Sequence, residues 1–224
     1  MIDILANPEG ADKLKSLGIR NVPVIIKGDD YIFAQNLREV ARFVEVDNIK
    51  FNQVSPEQLI SKWIHVLSAS QRYIQQVPEA ELNDAVISGR DRSIRDMGHH
   101  IFRIGEAFLE TAINGAEFAS MQLTEVPLKE GEFTSGSEIA DYGQLIISRL
   151  NGWWAELDDR TCEQKVNTFF GVQPLLVLFE RSTWHSAQHA RQLINILERY
   201  GIEPNGRLTE KDFEGLPLPA SVWG

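Results

Sequence analysis

Four long amphipathic segments constrain the fold of this chain more than any other feature. They span about residues 56–77, 90–114, 135–157 and 173–200, and each repeats apolar residues at the three- and four-residue spacing of one helix face. The stripe of the third segment is formed by Ile139, Tyr142, Ile146, Leu150, Trp153 and Leu157. Because a helix with one apolar face buries it against other helices, the sequence predicts a mainly α fold built on a four-helix bundle.

The fourth segment carries two histidines where apolar residues are expected. His185 and His189 lie on the same stripe as Leu178 and Leu193. Side chains four residues apart sit one turn apart on the same side of a helix, so these two imidazoles could share one metal ion. The alternative is a pair of core histidines that are satisfied by hydrogen bonds, since a buried imidazole needs some polar partner.

A third histidine on the second segment strengthens the metal hypothesis. His100 lies at the border of that segment's apolar stripe and can turn inward, whereas His99 projects to the opposite side and is expected in solvent. His65 also projects away from the apolar face of its helix and is expected at the surface. The candidate metal site is therefore His100, His185 and His189.

The ligand set predicts an open site. Three neutral imidazoles leave coordination positions for water or substrate, as in catalytic rather than closed structural sites. Nickel, zinc and iron all suit imidazole, so the residues predict a divalent ion without choosing among the three. Gln192 lies seven residues after His185 on the same face. It could orient a metal ligand or substrate, or it could be a buried polar residue satisfied by the backbone.

Composition excludes several classes of function. The chain has 224 residues, a formal net charge of -10 and one cysteine, Cys162. The acidic balance and the lack of a Lys/Arg cluster argue against nucleic acid as a partner. No apolar run is long enough for a membrane span, and no signal segment opens the sequence. A single cysteine fits a reducing cytoplasm and excludes both an internal disulfide and a CxxC motif.

The sequence predicts two unequal parts. Residues 1–46 form a small α/β unit, residues 47–54 a polar linker, and residues 55–224 the bundle. The elements expected in the first part are a helix at about 10–17, strands at 22–26 and 31–33, and a helix from Asn36, capped with Glu39, to Val46. The segment Leu216–Pro219, with Trp223, is expected to pack back across the bundle.

Two motifs in the predicted bundle carry a resemblance to a known family. The run Arg95-Asp96-Met97-Gly98-His99-His100 and the pattern Trp184-His185-x-x-Gln188-His189-x-Arg191-Gln192 resemble the DinB/YfiT-like metal-binding four-helix bundles. The resemblance covers about residues 55–224. It implies an up-down-down-up bundle with a long central crossover, a divalent metal held by the three histidines, and a homodimer. Characterised branches of that family are metal-dependent thiol transferases and isomerases that use low-molecular-weight thiols.

The first part resembles a different fold. The segment Gly18–Val24 is similar to the cis-proline region of a glutaredoxin or thioredoxin fold, and the hairpin and helix that follow also fit. The strand and helix that would bring the redox cysteines are missing, so dithiol exchange is not expected. A truncated glutaredoxin-like unit of this kind could pack on the bundle, form an oligomer interface or dock a thiol.

These features support two hypotheses of different class. The first is a divalent-metal-dependent enzyme acting on a small molecule, either a thiol-dependent S-transferase whose partner is a low-molecular-weight thiol or a hydrolase. The second is a non-catalytic metal-binding or structural protein whose site holds the bundle together. An open coordination sphere favours the enzyme, whereas the lack of a clear acid or base partner in the sequence favours the second hypothesis.

Overall fold

A computed structural model describes residues 8–19, 24–28, 30–34, 37–46, 54–87, 92–119, 128–129 and 131–223. The chain divides into two compact units, residues 1–51 and residues 52–224. Within the described parts of the chain, no helix combines the length and the apolar character that crossing a lipid bilayer requires.

The first unit is a helix, a β-hairpin and a second helix. Its elements are α1 (Pro8–Ser16), β1 (Val24–Lys27), β2 (Asp30–Phe33) and α2 (Leu37–Phe43). The two strands pair antiparallel, with Val24 opposite Phe33 and Lys27 opposite Asp30. The cis-proline segment at 20–23, the Asn36–Glu39 cap and the linker at 47–53 lie outside the described residues or side chains. The glutaredoxin resemblance therefore stays a prediction.

The second unit contains the four predicted long helices. They are α3 (Pro56–Gln76), α4 (Ile94–Asn114), α5 (Gly136–Glu156) and α6 (Leu175–Arg199). A short 3₁₀ turn (Glu79–Glu81) follows α3, a hairpin of β3 (Lys165–Thr168) and β4 (Gly171–Pro174) precedes α6, and α7 (Glu210–Phe213) follows it. The β3–β4 hairpin was not expected from the sequence.

Side-chain caps decide where the first two long helices begin. The Ser55 hydroxyl accepts from the Gln58 N–H at 3.2 Å, and the Gln58 side chain accepts from the Ser55 N–H at 2.9 Å. Ser93 and Asp96 form the same reciprocal pair, with the Asp96 N–H 3.0 Å from the Ser93 hydroxyl. Such a reciprocal pair is a capping box, and each one satisfies backbone N–H donors that the first helical turn leaves without partners. The predicted start of α4 at residue 90 is therefore wrong by one turn.

The four helices form the predicted up-down-down-up bundle. Both α3 and α4 pack mainly against α5 and α6, so α3 and α4 occupy opposite corners. His99 of α4 contacts Tyr142 of α5, and further along both helices Phe108 contacts Trp153. Because residue numbers rise together in the two helices, α4 and α5 run in the same direction. Parallel neighbours need a long connection, and the stretch between α4 and α5 is the long central crossover that the family resemblance implied.

The core runs along the bundle axis, and a later segment covers one side of it. Its largest fully buried side chains include Trp63, Phe102, Phe108 and Phe179. Leu216 is buried with this core, and Leu218 and Trp223 pack against it. The expected return of this segment across the bundle is thus confirmed.

Candidate metal centre

Helices α4 and α6 bring together the three histidines predicted as metal ligands. One ring nitrogen from each of His100, His185 and His189 lies within 4.8 Å of the others. The ring centroids are 4.9 Å apart for His100 and His189, 4.9 Å for His185 and His189, and 5.2 Å for His100 and His185. Two nitrogens bound to one ion at about 2.1 Å would sit ~3.0–3.5 Å apart, so small ring rotations would close the group on a metal.

The cluster lies mostly inside the bundle. His100 is 3% exposed and His189 is 8% exposed, while His185 is only partly buried. Nδ1 of His185 is nevertheless shielded from solvent and makes no hydrogen bond with any described residue. A buried polar atom left without a partner costs roughly 1–3 kcal/mol. A metal ion that accepted its lone pair would offset that cost, so the residues fit the ion that the sequence predicted.

Gln192 contacts one of these histidines. Its Oε1 lies 2.6 Å from Nδ1 of His189, and its Nε2 donates to the Val222 carbonyl at 3.0 Å. Because that carbonyl can only accept, the NH₂ of the amide must face Val222 and the oxygen must face His189. His189 therefore carries its proton on Nδ1, which leaves the lone pair on Nε2. The role of Gln192 in orienting a metal ligand stays a prediction.

The local electrostatics keep His185 neutral. Burial is the largest cause that lowers its pKa well below the usual value, and the neighbouring imidazoles of His189 and His100 and the guanidinium groups of Arg181 and Arg92 lower it further. Neutral imidazole is the form that binds metal. The Arg181 guanidinium is buried against the rings of Phe118 and Phe169, at 5.8 and 5.5 Å from their centroids. Burial lowers the pKa of Arg181 to about 10, so it stays charged at neutral pH.

No other metal-binding side chain joins the group. Among the described residues, the cluster contains His100, His185 and His189 and no aspartate, glutamate or cysteine. Cys162 is buried and its pKa is raised to about 11, chiefly by burial, so it is a poor thiolate donor. Three histidines alone, if they bind an ion, would therefore leave coordination positions open.

The remaining two histidines lie elsewhere, and one of them contradicts the sequence expectation. His65 is at the surface as predicted, with a side chain 53% exposed and Nε2 3.2 Å from Oδ1 of Asp212. His99 was expected in solvent but is only 9% exposed. Its ring lies 5.0 Å from Tyr142 at an interplanar angle of 18° and 4.8 Å from Phe133. That prediction was wrong because helix α5 covers a second side of α4.

Comparisons with known proteins support the fold. No protein-family model and no curated protein matches the sequence. The structure is similar to the crystal structure of a DinB-like protein from Bacillus cereus ATCC 10987, with a TM-score of 0.54, 16% sequence identity, and coverage of 68% of this chain and 97% of that one. It is also similar to the structure of YfiT from Bacillus subtilis, described as a probable metal-dependent hydrolase with an unusual four-helix bundle topology. The TM-score is 0.48 and the sequence identity 17%, with coverage of 68% of this chain and 93% of that one.

The similarity to the Bacillus cereus protein shows the fold alone, because a sequence identity of 16% is too low to transfer a function. The predicted mainly α fold with a DinB-like four-helix bundle is thus confirmed.

Proposed function

We propose that this chain is a divalent-metal-dependent enzyme that acts on a small molecule, with His100, His185 and His189 as the metal ligands. The observation that carries the proposal is the convergence of three ring nitrogens within 4.8 Å inside a helical bundle. Nδ1 of His185 also supports it, because this atom is buried and has no hydrogen-bond partner among the described residues, and protein interiors rarely leave a polar atom in that state.

The geometry favours catalysis over a purely structural role for the ion. A structural site is closed by four protein ligands, whereas three imidazoles leave positions for substrate. The bundle also has a metal-independent core: Trp63, Phe108 and Phe179 are fully buried and in mutual ring contact. The fold therefore has packing of its own to stabilise it, and the cluster is free to serve chemistry.

The charges around the cluster favour an anionic ligand. Arg181 and Arg92 both act on His185 as positive charges, and a buried charge acts more strongly than one in water. A bound divalent ion would lower the pKa of a thiol or water beside it and raise the fraction of the reactive anion. These features support a thiol-dependent S-transferase, or a hydrolase, as the reaction class.

Metal analysis and thiol titration test this proposal. We expect about one divalent ion per chain by elemental analysis. The cobalt- or nickel-loaded protein, titrated with cysteine and glutathione, should develop a sulfur-to-metal charge-transfer band, and it should accelerate addition of the thiol to small electrophiles. The His185→Ala variant is the matched control, and a panel of esters and amides tests the hydrolase alternative. A metal-loaded chain with neither band nor rate enhancement on any of these substrates would contradict an enzymatic role and favour non-catalytic metal binding.

The expected homodimer stays a prediction. Static light scattering distinguishes the 25.4 kDa chain from a particle of twice that mass. A monomer at micromolar concentration would contradict the dimer without bearing on the metal site.

A further inference from the structure

We propose that the segment Pro219–Trp223, here called the strap, helps to hold the metal centre, and that Gln192 is the positioning residue that joins them. This inference rests on the proposed function, because it requires His189 to bind the metal. The strap follows the last short helix and lies along α6, the helix that carries two of the three histidines.

The strap is bound to α6 through its backbone. The Pro219 and Ala220 carbonyls accept from the Arg191 guanidinium at 2.8 and 3.3 Å. The Ser221 and Val222 carbonyls accept from Nε2 of Gln188 at 3.3 and 2.7 Å. Arg191 also donates to Oε1 of Gln188 at 2.8 Å, which orients the Gln188 amide. Four successive carbonyls are therefore held by side chains of one helix.

An aromatic anchor fixes the far end of the strap. Nε1 of Trp223 donates to Oδ1 of Asn195 at 2.8 Å, and the Arg199 guanidinium lies 5.9 Å from the indole ring centroid. The indole packs against the bundle core. Asn195 lies one turn beyond Gln192 and Arg191 on α6, so the strap follows the same helix that presents His185 and His189.

Gln192 connects the strap to the metal ligand. The Val222 carbonyl accepts from Gln192 at 3.0 Å, and the oxygen of the same amide faces Nδ1 of His189 at 2.6 Å. If Val222 moved away, the Gln192 amide could flip and turn its NH₂ toward His189. The imidazole would then favour the tautomer with a proton on Nε2, and that proton would block binding of metal through Nε2. The strap therefore selects the tautomer that can bind.

Binding of metal and docking of the strap are consequently linked. Linkage is reciprocal, so whatever stabilises the strap raises metal affinity, and metal stabilises the docked strap by the same factor. Outer hydrogen-bond partners of metal ligands are commonly worth about 10- to 100-fold in metal affinity. The strap acts through one such partner, so we expect its release to weaken binding about 10-fold.

Three variants of the full chain separate the parts of this inference. Gln192→Leu removes both contacts and should weaken Zn²⁺ binding by about 10- to 100-fold. Gln192→Glu keeps an acceptor for His189 but loses the donor to Val222, so it should retain more affinity than Gln192→Leu while releasing the strap. Gln188→Leu/Arg191→Leu leaves Gln192 intact and removes four donated bonds to the strap, and it should lower affinity about 10-fold. The control is Gln144→Leu, a glutamine on the exposed side of α5.

Zn²⁺ titration by calorimetry and hydrogen exchange of residues 219–223, with and without Zn²⁺, provide the readouts. We expect Zn²⁺ to slow exchange in the strap of the parent chain and of Gln144→Leu, and to lose this effect in Gln192→Leu. Equal Zn²⁺ affinity in the parent and in Gln188→Leu/Arg191→Leu, with strap exchange unaffected by Zn²⁺, would overturn the inference while leaving the metal site in place. A parent chain that binds no Zn²⁺, Ni²⁺ or Fe²⁺ would overturn the proposed function and this inference together.

Discussion

Helix α4 presents two neighbouring histidines to two different interfaces, and they meet opposite surroundings. His100 faces α6 and contacts the rings of His185 and His189. His99 faces α5 and packs against the aromatic rings of Tyr142 and Phe133, which also contact each other. Both are buried, so burial alone does not separate a ligand from a packed ring. The identity of the neighbours does.

The two interfaces also differ in how their polar groups are satisfied. Between α4 and α5, Glu106 accepts from the Tyr142 hydroxyl at 2.6 Å, from Arg149 at 3.1 Å and from Arg103 at 3.2 Å. Between α4 and α6, by contrast, Nδ1 of His185 has no partner among the described residues. Polar groups whose hydrogen bonds are all made stabilise the packing of the two helices. A group of histidines with a buried ring nitrogen that makes no hydrogen bond can instead bind a metal ion. The comparison favours a structural role for the α4–α5 interface and agrees with the proposal that the α4–α6 interface binds a metal.

The largest expected effect separates the two interfaces by metal content. His185→Ala/His189→Ala should reduce bound metal from about one ion per chain to none, because one imidazole cannot hold a divalent ion at a three-ligand site. Elemental analysis of the purified protein measures this directly.

The matched control is His99→Phe, which keeps an aromatic ring against Tyr142 and Phe133 and should leave the metal in place. If the double variant kept its full metal content, the α4–α6 cluster would not be the site. If His99→Phe lost the metal instead, the assignment of the two interfaces would be reversed.

A second prediction tests how closely the α4–α5 interface is packed. Gly143 is a helical glycine whose added Cβ would lie 2.6 Å from the ring of Phe102, a fully buried side chain. Gly143→Ala should therefore lower the free energy of unfolding by about 1–3 kcal/mol, as overpacking does. Gly152, on the same helix, has open space around its position, so Gly152→Ala should raise it by up to about 1 kcal/mol. Urea unfolding of both variants gives the two signs, and stabilisation by Gly143→Ala would show that the interface is loose.

Most of the fold could be predicted from the sequence, because local sequence patterns define each helix of the bundle. Each long helix shows its own apolar stripe, and three of the four begin within two residues of the predicted position. The error at α4 was avoidable, since Ser93 and Asp96 have the spacing of a capping box. The β3–β4 hairpin was harder to foresee, because strands of four residues with one buried face give little periodic signal.

The site shows the limit of the same reasoning. Helical projection brought His185 and His189 together correctly, because both lie on one helix. Projection could not place His99, since it shows one apolar stripe and α4 is covered on two sides, by α5 and by α6. Nor could it reveal that Gln192 bonds to His189 and Val222 at once, because that contact depends on where a segment 30 residues later returns.

A third prediction sharpens the contrast from the α5 side. Tyr142→Phe removes one hydroxyl, which donates to the carboxylate of Glu106 at 2.6 Å. Bonds to charged groups are worth about 1.5–3 kcal/mol. Because Glu106 keeps two arginine partners, we expect a loss of about 1–2 kcal/mol in the free energy of unfolding. Bound metal should be unchanged in the same preparation. Loss of metal would mean that the network at α5 supports the cluster at α6, and that the two interfaces are coupled.

The smallest expected effect lies outside both interfaces, at the contact between the exposed His65 and the partly buried Asp212. His65→Ala should change the free energy of unfolding by less than about 0.5 kcal/mol, since a contact made by an exposed side chain at the surface contributes little, and it should not alter metal content. Substitution of Asp212 should change the stability more than substitution of His65. The N–H of Thr209 is the largest cause that holds the pKa of this carboxyl below its usual 3.8, and the Thr209 hydroxyl and His65 also contribute.

A carboxyl whose folded-state pKa is lowered stabilises the protein above its unfolded pKa, and this contribution is lost as the pH falls through the folded-state pKa. Asp212→Asn should therefore be less stable than the parent at pH 7, and the difference should shrink below pH ~4. Urea unfolding at pH 7 and at successively lower pH measures the two curves. A difference that grew as the pH fell would contradict the sign. A larger effect for His65→Ala than for Asp212→Asn would show that the histidine, rather than the hydrogen bonds from Thr209 to Asp212 at the start of α7, stabilises this part of the bundle.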